Sequence, residues 1–160
     1  MKRSLLIVIA FVVSGIGLAS QEKPKLVVHA FTVAKGVELP YDMKLLQTQM
    51  VAELKVELGK DYNVINEPPS APEGAVYALN GVITGWRPGN AAKRLFVGMG
   101  SGREASDIEF DVTDSLGKKV LERKETIRTN FYSQGAGSSG TLAHPIALKV
   151  SDRIKETKLK

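Results

Sequence analysis

Residues 107–129 read DIEFDVTDSLGKKVLERKETIRT, and this stretch decides the fold. From Asp107 to Asp114 polar and apolar side chains alternate strictly, with Ile108, Phe110 and Val112 on one face and Asp107, Glu109, Asp111 and Thr113 on the other. Successive strand side chains point to opposite faces, so this is a strand with one dry and one wet side, the pattern of an antiparallel sheet covered on a single face. Asp114-Ser115-Leu116-Gly117 is turn chemistry. Lys119 to Thr129 returns as the partner strand, and its Lys119, Arg123, Lys124 and Arg128 are placed to face the acids of the first. Exposed cross-strand pairs contribute only roughly a few tenths of a kcal/mol each, so these charges read as a solvated face and not as an active site.

Working outward, Tyr77 to Arg87 is a longer strand in which Gly81 and Gly85 predict bulges or close packing against a neighbour. Lys25 to Val33 (KLVVHAFTV) is rich in β-branched residues and reads as a strand ended by Lys35-Gly36. Pro40 and Asp42 are helix-start signals, and Met43, Leu46, Met50, Leu54 and Leu58 then recur at three- and four-residue intervals. Methionines at that spacing are core filler, not a cofactor box, and Gly59 stands where a left-handed residue would end the helix. Tyr62 to Asn66 is a short strand closed by the proline- and serine-rich segment 67–74. After the glycine- and serine-rich segment 133–140, Ala143, Ile146, Ala147, Val150 and Ile154 mark a second helix, with Thr141 or Ser139 as its cap and Pro145 in its first turn. Lys149, Arg153, Lys155, Lys158 and Lys160 crowd its negative end. The expected architecture is α+β: a two-layer sandwich whose mixed, mainly antiparallel five-stranded sheet carries both helices on one face.

The first twenty residues read as an export signal. Lys2 and Arg3 precede an unbroken apolar run from Leu5 to Val13, continued more dilutely to Ala19. As a helix, residues 5–19 would span roughly 22 Å, short of a ~30 Å hydrocarbon core. Gly17 and Ala19 supply the small residues of a cut after Ala19; a cut after Ser20 puts Leu18 at the earlier position, a poorer fit. The expected division is a signal peptide over 1–20 and a single domain over 21–160, periplasmic or secreted, soluble after cleavage, with no transmembrane span in the mature chain. That mature chain keeps 20 basic against 17 acidic side chains, a charge of about +3, too sparse a basic field to suggest a nucleic-acid partner. The sequence contains no cysteine, which excludes disulfides, thiolate metal sites and a lipid anchor on a cysteine at the cleavage site.

Several constellations invite a chemical reading. Gly98-Met99-Gly100-Ser101-Gly102 resembles a phosphate loop, but it lacks the G-x-G-x-x-G spacing and the Gly-Lys-Ser/Thr ending, and it leads into a strand. His29 and His144 are the only histidines and supply no zinc set. Asp107, Glu109, Asp111 and Asp114 alternate too regularly for a calcium loop. Trp86, the one tryptophan, reads as a strand-end core residue and not as a binding platform. No catalytic, cofactor-binding or metal-binding set is expected.

One surface does stand out. Lys93 and Arg94 sit beside Leu95, Phe96, Val97 and Met99, and Gly98, Gly100 and Gly102 leave that group free to adjust to a partner surface. An apolar cluster rimmed by basic charge suits a protein groove or an anionic lipid surface; the alternative is a hairpin tip whose Phe96 and Val97 pack on the domain's own sheet. The candidate contact residues are Lys93, Arg94, Phe96, Val97, Gly98, Met99, Gly100 and Gly102.

From Leu79 to Lys118 the chain also resembles a known family. The residues that carry this are Gly81-Val82-Ile83-Thr84, then Pro88-Gly89-Asn90-Ala91-Ala92-Lys93-Arg94, Val97-Gly98-Met99-Gly100-Ser101-Gly102 and the turn Asp114-Ser115-Leu116-Gly117-Lys118. They are similar to a bacterial secreted and envelope family, domain of unknown function 4410, and a weaker pattern of strands and helices extends the match over Lys25 to Leu159. The resemblance implies a fold like the amino-terminal domain of TolB and the periplasmic domain of the curli secretion channel. It implies an envelope assembly or interaction module, not an enzyme. Lipoprotein members carry a cysteine after the signal that this chain lacks. The expected function is therefore a non-catalytic periplasmic or secreted binding or assembly domain whose partner is an envelope protein or an anionic membrane surface. The alternative from another class is a small serine hydrolase using Ser138 or Ser139, paired with His144.

Overall fold

The computed structural model describes residues 22–67, 74–89, 104–128 and 142–159. In chain order the elements are β1 (Lys25–Val28), β2 (Thr32–Val33), α1 (Met43–Leu58), β3 (Asn63–Ile65), β4 (Val76–Arg87), β5 (Ala105–Thr113), β6 (Lys119–Arg128) and α2 (Ala143–Thr157). The strands form one sheet in the order β3-β1-β4-β5-β6, with β2 also beside β4. Helix α1 lies between β1 and β3, so those strands run parallel, and β1 and β2 also run parallel to β4. A parallel neighbour needs a crossover of this length, whereas β4-β5 and β5-β6 are antiparallel ladders of nine residue pairs each and carry most of the pairing. The α+β sandwich expected from the sequence is the one observed.

The sheet has six strands and not five because the stretch Lys25 to Val33 is interrupted. His29 to Phe31 leave the ladder, and Phe31 turns inward to be buried. The backbone groups freed there are taken up by α1: the Gln47 side-chain amide donates to the His29 carbonyl (3.1 Å) and accepts from the Phe31 N–H (3.1 Å). One helix side chain thus satisfies two backbone groups that the ladder no longer pairs, one exposed and one half-buried. The ring of Phe31 then lies over Gly81 of β4, so closely that a Cβ there would stand 2.1 Å from a ring carbon. The predicted close packing at Gly81 is thus real, and its partner is Phe31.

Both helices cover one face. Leu46, Met50, Leu54 and Leu58 of α1 and Ala143, Ile146, Ala147, Val150 and Ile154 of α2 are buried with Leu26, Val28, Leu79, Ile83, Ile108 and Val112 of the sheet. The alternation read in residues 107–113 has the dry side it predicted. Asp42 caps α1, accepting from the Leu45 N–H at 3.0 Å. Gly59 departs from expectation: its φ of −63° is right-handed, and the constraint there is space, since a Cβ would approach the Lys55 carbonyl oxygen to 2.4 Å. Thr141 and Ser139 lie outside the described residues, and Leu142 at the start of α2 makes no side-chain cap. The turn after β5 is as read: Asp114 accepts from the Leu116 and Lys118 N–H groups, and Gly117 has φ +77°.

Candidate functional site

The eight candidate contact residues, Lys93 to Gly102, lie outside the described residues, as do Ser138 and Ser139. What is described is the root from which the connection between β4 and β5 departs. Its geometry begins with a bulge: the β4-β5 register shifts between Ile83 and Gly85. An extra residue in one strand moves every following side chain to the other face. Ile83 stands opposite Ile108 on the helix side, but after the shift Trp86 stands opposite buried Ser106 and Arg87 opposite Ala105. Trp86 thereby turns toward the core, against which it packs, and Arg87 turns to the face away from the helices, which is bare among the described residues. The sequence reading of Trp86 as a strand-end core residue is correct, and the bulge predicted around Gly85 is its cause.

Three chain segments meet at this root. Glu104, immediately before β5, accepts through Oε1 from the indole N–H of Trp86 at 2.7 Å, and the hydroxyl of Tyr41 donates to the same oxygen. Burial, and then the bond to Glu104 and its charge, hold the Tyr41 hydroxyl well above the usual tyrosine range, so it stays protonated and donating. On the bare face Arg87 grips Asp107 with two bonds of 2.6 and 3.0 Å, and the Thr126 hydroxyl adds a third at 2.7 Å. The bond to Arg87, joined by that of Thr126, keeps the Asp107 carboxyl below the ordinary aspartate range. Sequence reasoning missed both clusters; Tyr41 and Glu104 are 63 residues apart with no local pattern between them.

The rest of the bare face is an open groove of about 530 Å³ lined by residues that include His29, Thr32, Asn80, Glu109, Asp111 and Lys124. Its charges are engaged with one another: Lys124 with Glu109 at 2.8 Å, Lys119 with Glu122 at 2.7 Å, and the Asn80 amide with Asp111 at 3.0 Å. Of the expected cross-strand partners of the acids, Lys124 is used as foreseen. Asp107 instead takes Arg87 from β4.

The two histidines do not meet. His29 lines the groove, whereas His144 belongs to α2, where its Nδ1 lies 3.0 Å from a Glu53 carboxylate oxygen of α1. Both partners of that pair are substantially exposed. A carboxylate that orients a histidine is one part of a nucleophile-activating set, and the seryl part falls outside the described residues. Among the described residues no three potential ligands gather to hold a metal ion, and no helix is long and apolar enough to cross a membrane.

The model of a family described as a domain of unknown function, DUF4410, matches residues 33–133. No curated protein matches the sequence. Among solved structures, the chain is similar to an uncharacterized protein with a TM-score of 0.54 at 15% identity, covering 86% of this chain and 92% of that one. This similarity is one of fold. A PelC dodecamer from Paraburkholderia phytofirmans gives 0.48 at 16% identity, covering 79% and 84%. The hypothetical protein CT253 from Chlamydia trachomatis gives 0.46 at 12%, covering 86% and 94%.

Proposed function

The chain belongs to the DUF4410 family, and from that premise we propose that it is a non-catalytic binding or assembly domain working outside the cytoplasm as a periplasmic or secreted protein. Its contact element is the connection between β4 and β5, with Lys93, Arg94, Phe96, Val97 and Met99 as the contacting side chains. The partner is an envelope protein or an anionic membrane surface. Export rests on the charged start, apolar run and small-residue exit of residues 1–20. The likeness to TolB and to the curli channel domain implied by the sequence belongs to the same reading.

The observation that carries it is the pinned root. Trp86, Arg87, Glu104 and Asp107 fasten both ends of a segment rich in basic, apolar and glycine residues. Binding residues are disproportionately carried on connections whose ends a rigid scaffold positions. The test is crosslinking from position 96 in the native envelope, with Phe96→Ser/Met99→Ser as the control. Capture that disappears in the double variant, with the melting temperature unchanged, supports the contact element. Earlier unfolding of the double variant assigns those side chains to the core and removes it. Labelling of the exported protein by a serine-reactive phosphonate, abolished by Ser138→Ala/Ser139→Ala, would replace a binding domain by a hydrolase.

A further inference from the structure

We propose that Glu104 is the positioning residue of this domain: its carboxylate locks the end of β4 and the start of β5 to the segment that precedes α1, and so sets the two points from which the β4-β5 connection departs. The proposal rests on the reading of that connection as the contact element. It is argued from the convergence of three parts of the chain on one oxygen. Trp86 reaches Glu104 Oε1 from the end of β4, Tyr41 reaches it from the segment between β2 and α1, and Glu104 itself opens β5. Hydrogen bonds to an ionised carboxylate are shorter and roughly twice as strong as those between neutral groups, so this joint outweighs an ordinary strand-end contact.

The surroundings define what the joint holds. The bulge before Gly85 brings Trp86 to the core side, where Glu104 can meet its indole N–H. The Ser106 hydroxyl donates to the Gly85 carbonyl at 3.0 Å, which ties down the bulge itself. Tyr41, like its neighbours Leu39 and Met43, packs against the core, so it is anchored from behind. Moreover, Tyr41 lies next to Asp42, the cap of α1, and the joint therefore links the start of that helix to the exit of the connection. A hairpin root held only by its ladder frays at its last pair; this one is closed by a side-chain bond across the ladder's end.

The lone tryptophan makes the joint directly observable. In the full mature chain, Glu104→Ala should shift Trp86 emission to longer wavelength and speed amide exchange at Trp86, Arg87 and Ala105 by about tenfold or more, as expected for loss of bonds to a charged acceptor. Amides at Leu79 and Val112, toward the other end of the same ladder, should hold their protection. Glu104→Gln keeps an acceptor oxygen but not the charge and should restore part of both signals, and Tyr41→Phe, which removes one donor without disturbing the core, should give a smaller change of the same kind. Crosslinking from position 96 should fall with Glu104→Ala and recover with Glu104→Gln. Unchanged emission and exchange in Glu104→Ala, or in Tyr41→Phe should the alanine variant not fold, overturn the positioning role. Shifted emission and exchange with crosslinking intact keep that role and instead overturn the contact element proposed above.

Discussion

The two halves of the sheet are assembled by different means. On one side, β5 and β6 are long strands joined by a five-residue connection, and Asp107 and Glu109 of the alternation find side-chain partners in Thr126 and Lys124 of the neighbouring strand. On the other, β1, β2 and β3 are two to four residues long and run parallel, and they are held by what crosses over them: α1, the Gln47 amide and the Phe31 ring seated on Gly81. The antiparallel half is encoded by neighbours in sequence. The parallel half is encoded by residues that meet only after folding, and disturbing α1 should therefore loosen it first.

Leu54→Ala gives that contrast its hardest test. Leu54 is fully buried in α1, and its truncation should cost ~2–5 kcal/mol. Hydrogen exchange in the variant should show β1 and β3 amides losing protection before those of β5 and β6. Equal loss in both halves would make the sheet one cooperative unit and break the comparison.

Gly81→Ala should cost ~1–3 kcal/mol, because its methyl group would meet the Phe31 ring. Phe31→Leu in the same chain should recover part of this, with the coupling read from a double-mutant cycle of chemical denaturations. Simple additivity would mean that the ring is not what excludes a side chain at Gly81.

Gln47→Leu keeps the volume but removes the partner of His29 and Phe31. In this partly exposed setting the cost should be about 1 kcal/mol, with faster exchange at the Phe31 amide and none at β6.

How much of this was legible follows the same division. Alternation over 107–113, the Asp114 turn and the apolar spacing of both helices are local patterns, and each predicted its element to within three residues at either end. The break at His29 to Phe31 was invisible because its β-branched surroundings continue the strand pattern on both sides, while the group that permits it, Gln47, lies sixteen residues away on a helix. Likewise, the glycine at 59 reads as a left-handed terminus from its position alone, and only the packed backbone reveals that the lack of a Cβ matters there for room. At the site, a mixed cluster of basic and apolar residues could be read directly. The Tyr41-Glu104-Trp86 joint could not, since none of its members stands in a periodic relation to another.

The smallest expected effect concerns the acids of the bare face. Asp107 titrates lower in the folded chain than an ordinary aspartate, so its stabilising contribution is present above the unfolded value near 3.9 and is lost as pH falls through the folded one. Asp107→Asn should flatten the acid limb of the stability profile below about pH 4, measured by denaturation at stepped pH. The side chains are well exposed, so the change should be slight and should shrink further in high salt. An unaltered acid limb would show that the antiparallel half draws nothing from this pair and depends on its ladder alone.

The parallel pairing of β1 also sets an order in time. Lys25 pairs with Val76 about fifty residues along the chain, whereas β5 and β6 meet across a turn of a few residues. Distant closures are slower than near ones, so the β5-β6 hairpin can form early while the strand synthesised first waits for the longest search. Until β4 is complete, β1 has only the three-residue β3 to pair with. A chain built in this order leaves β1 paired along one edge only until residues 76–79 have been made.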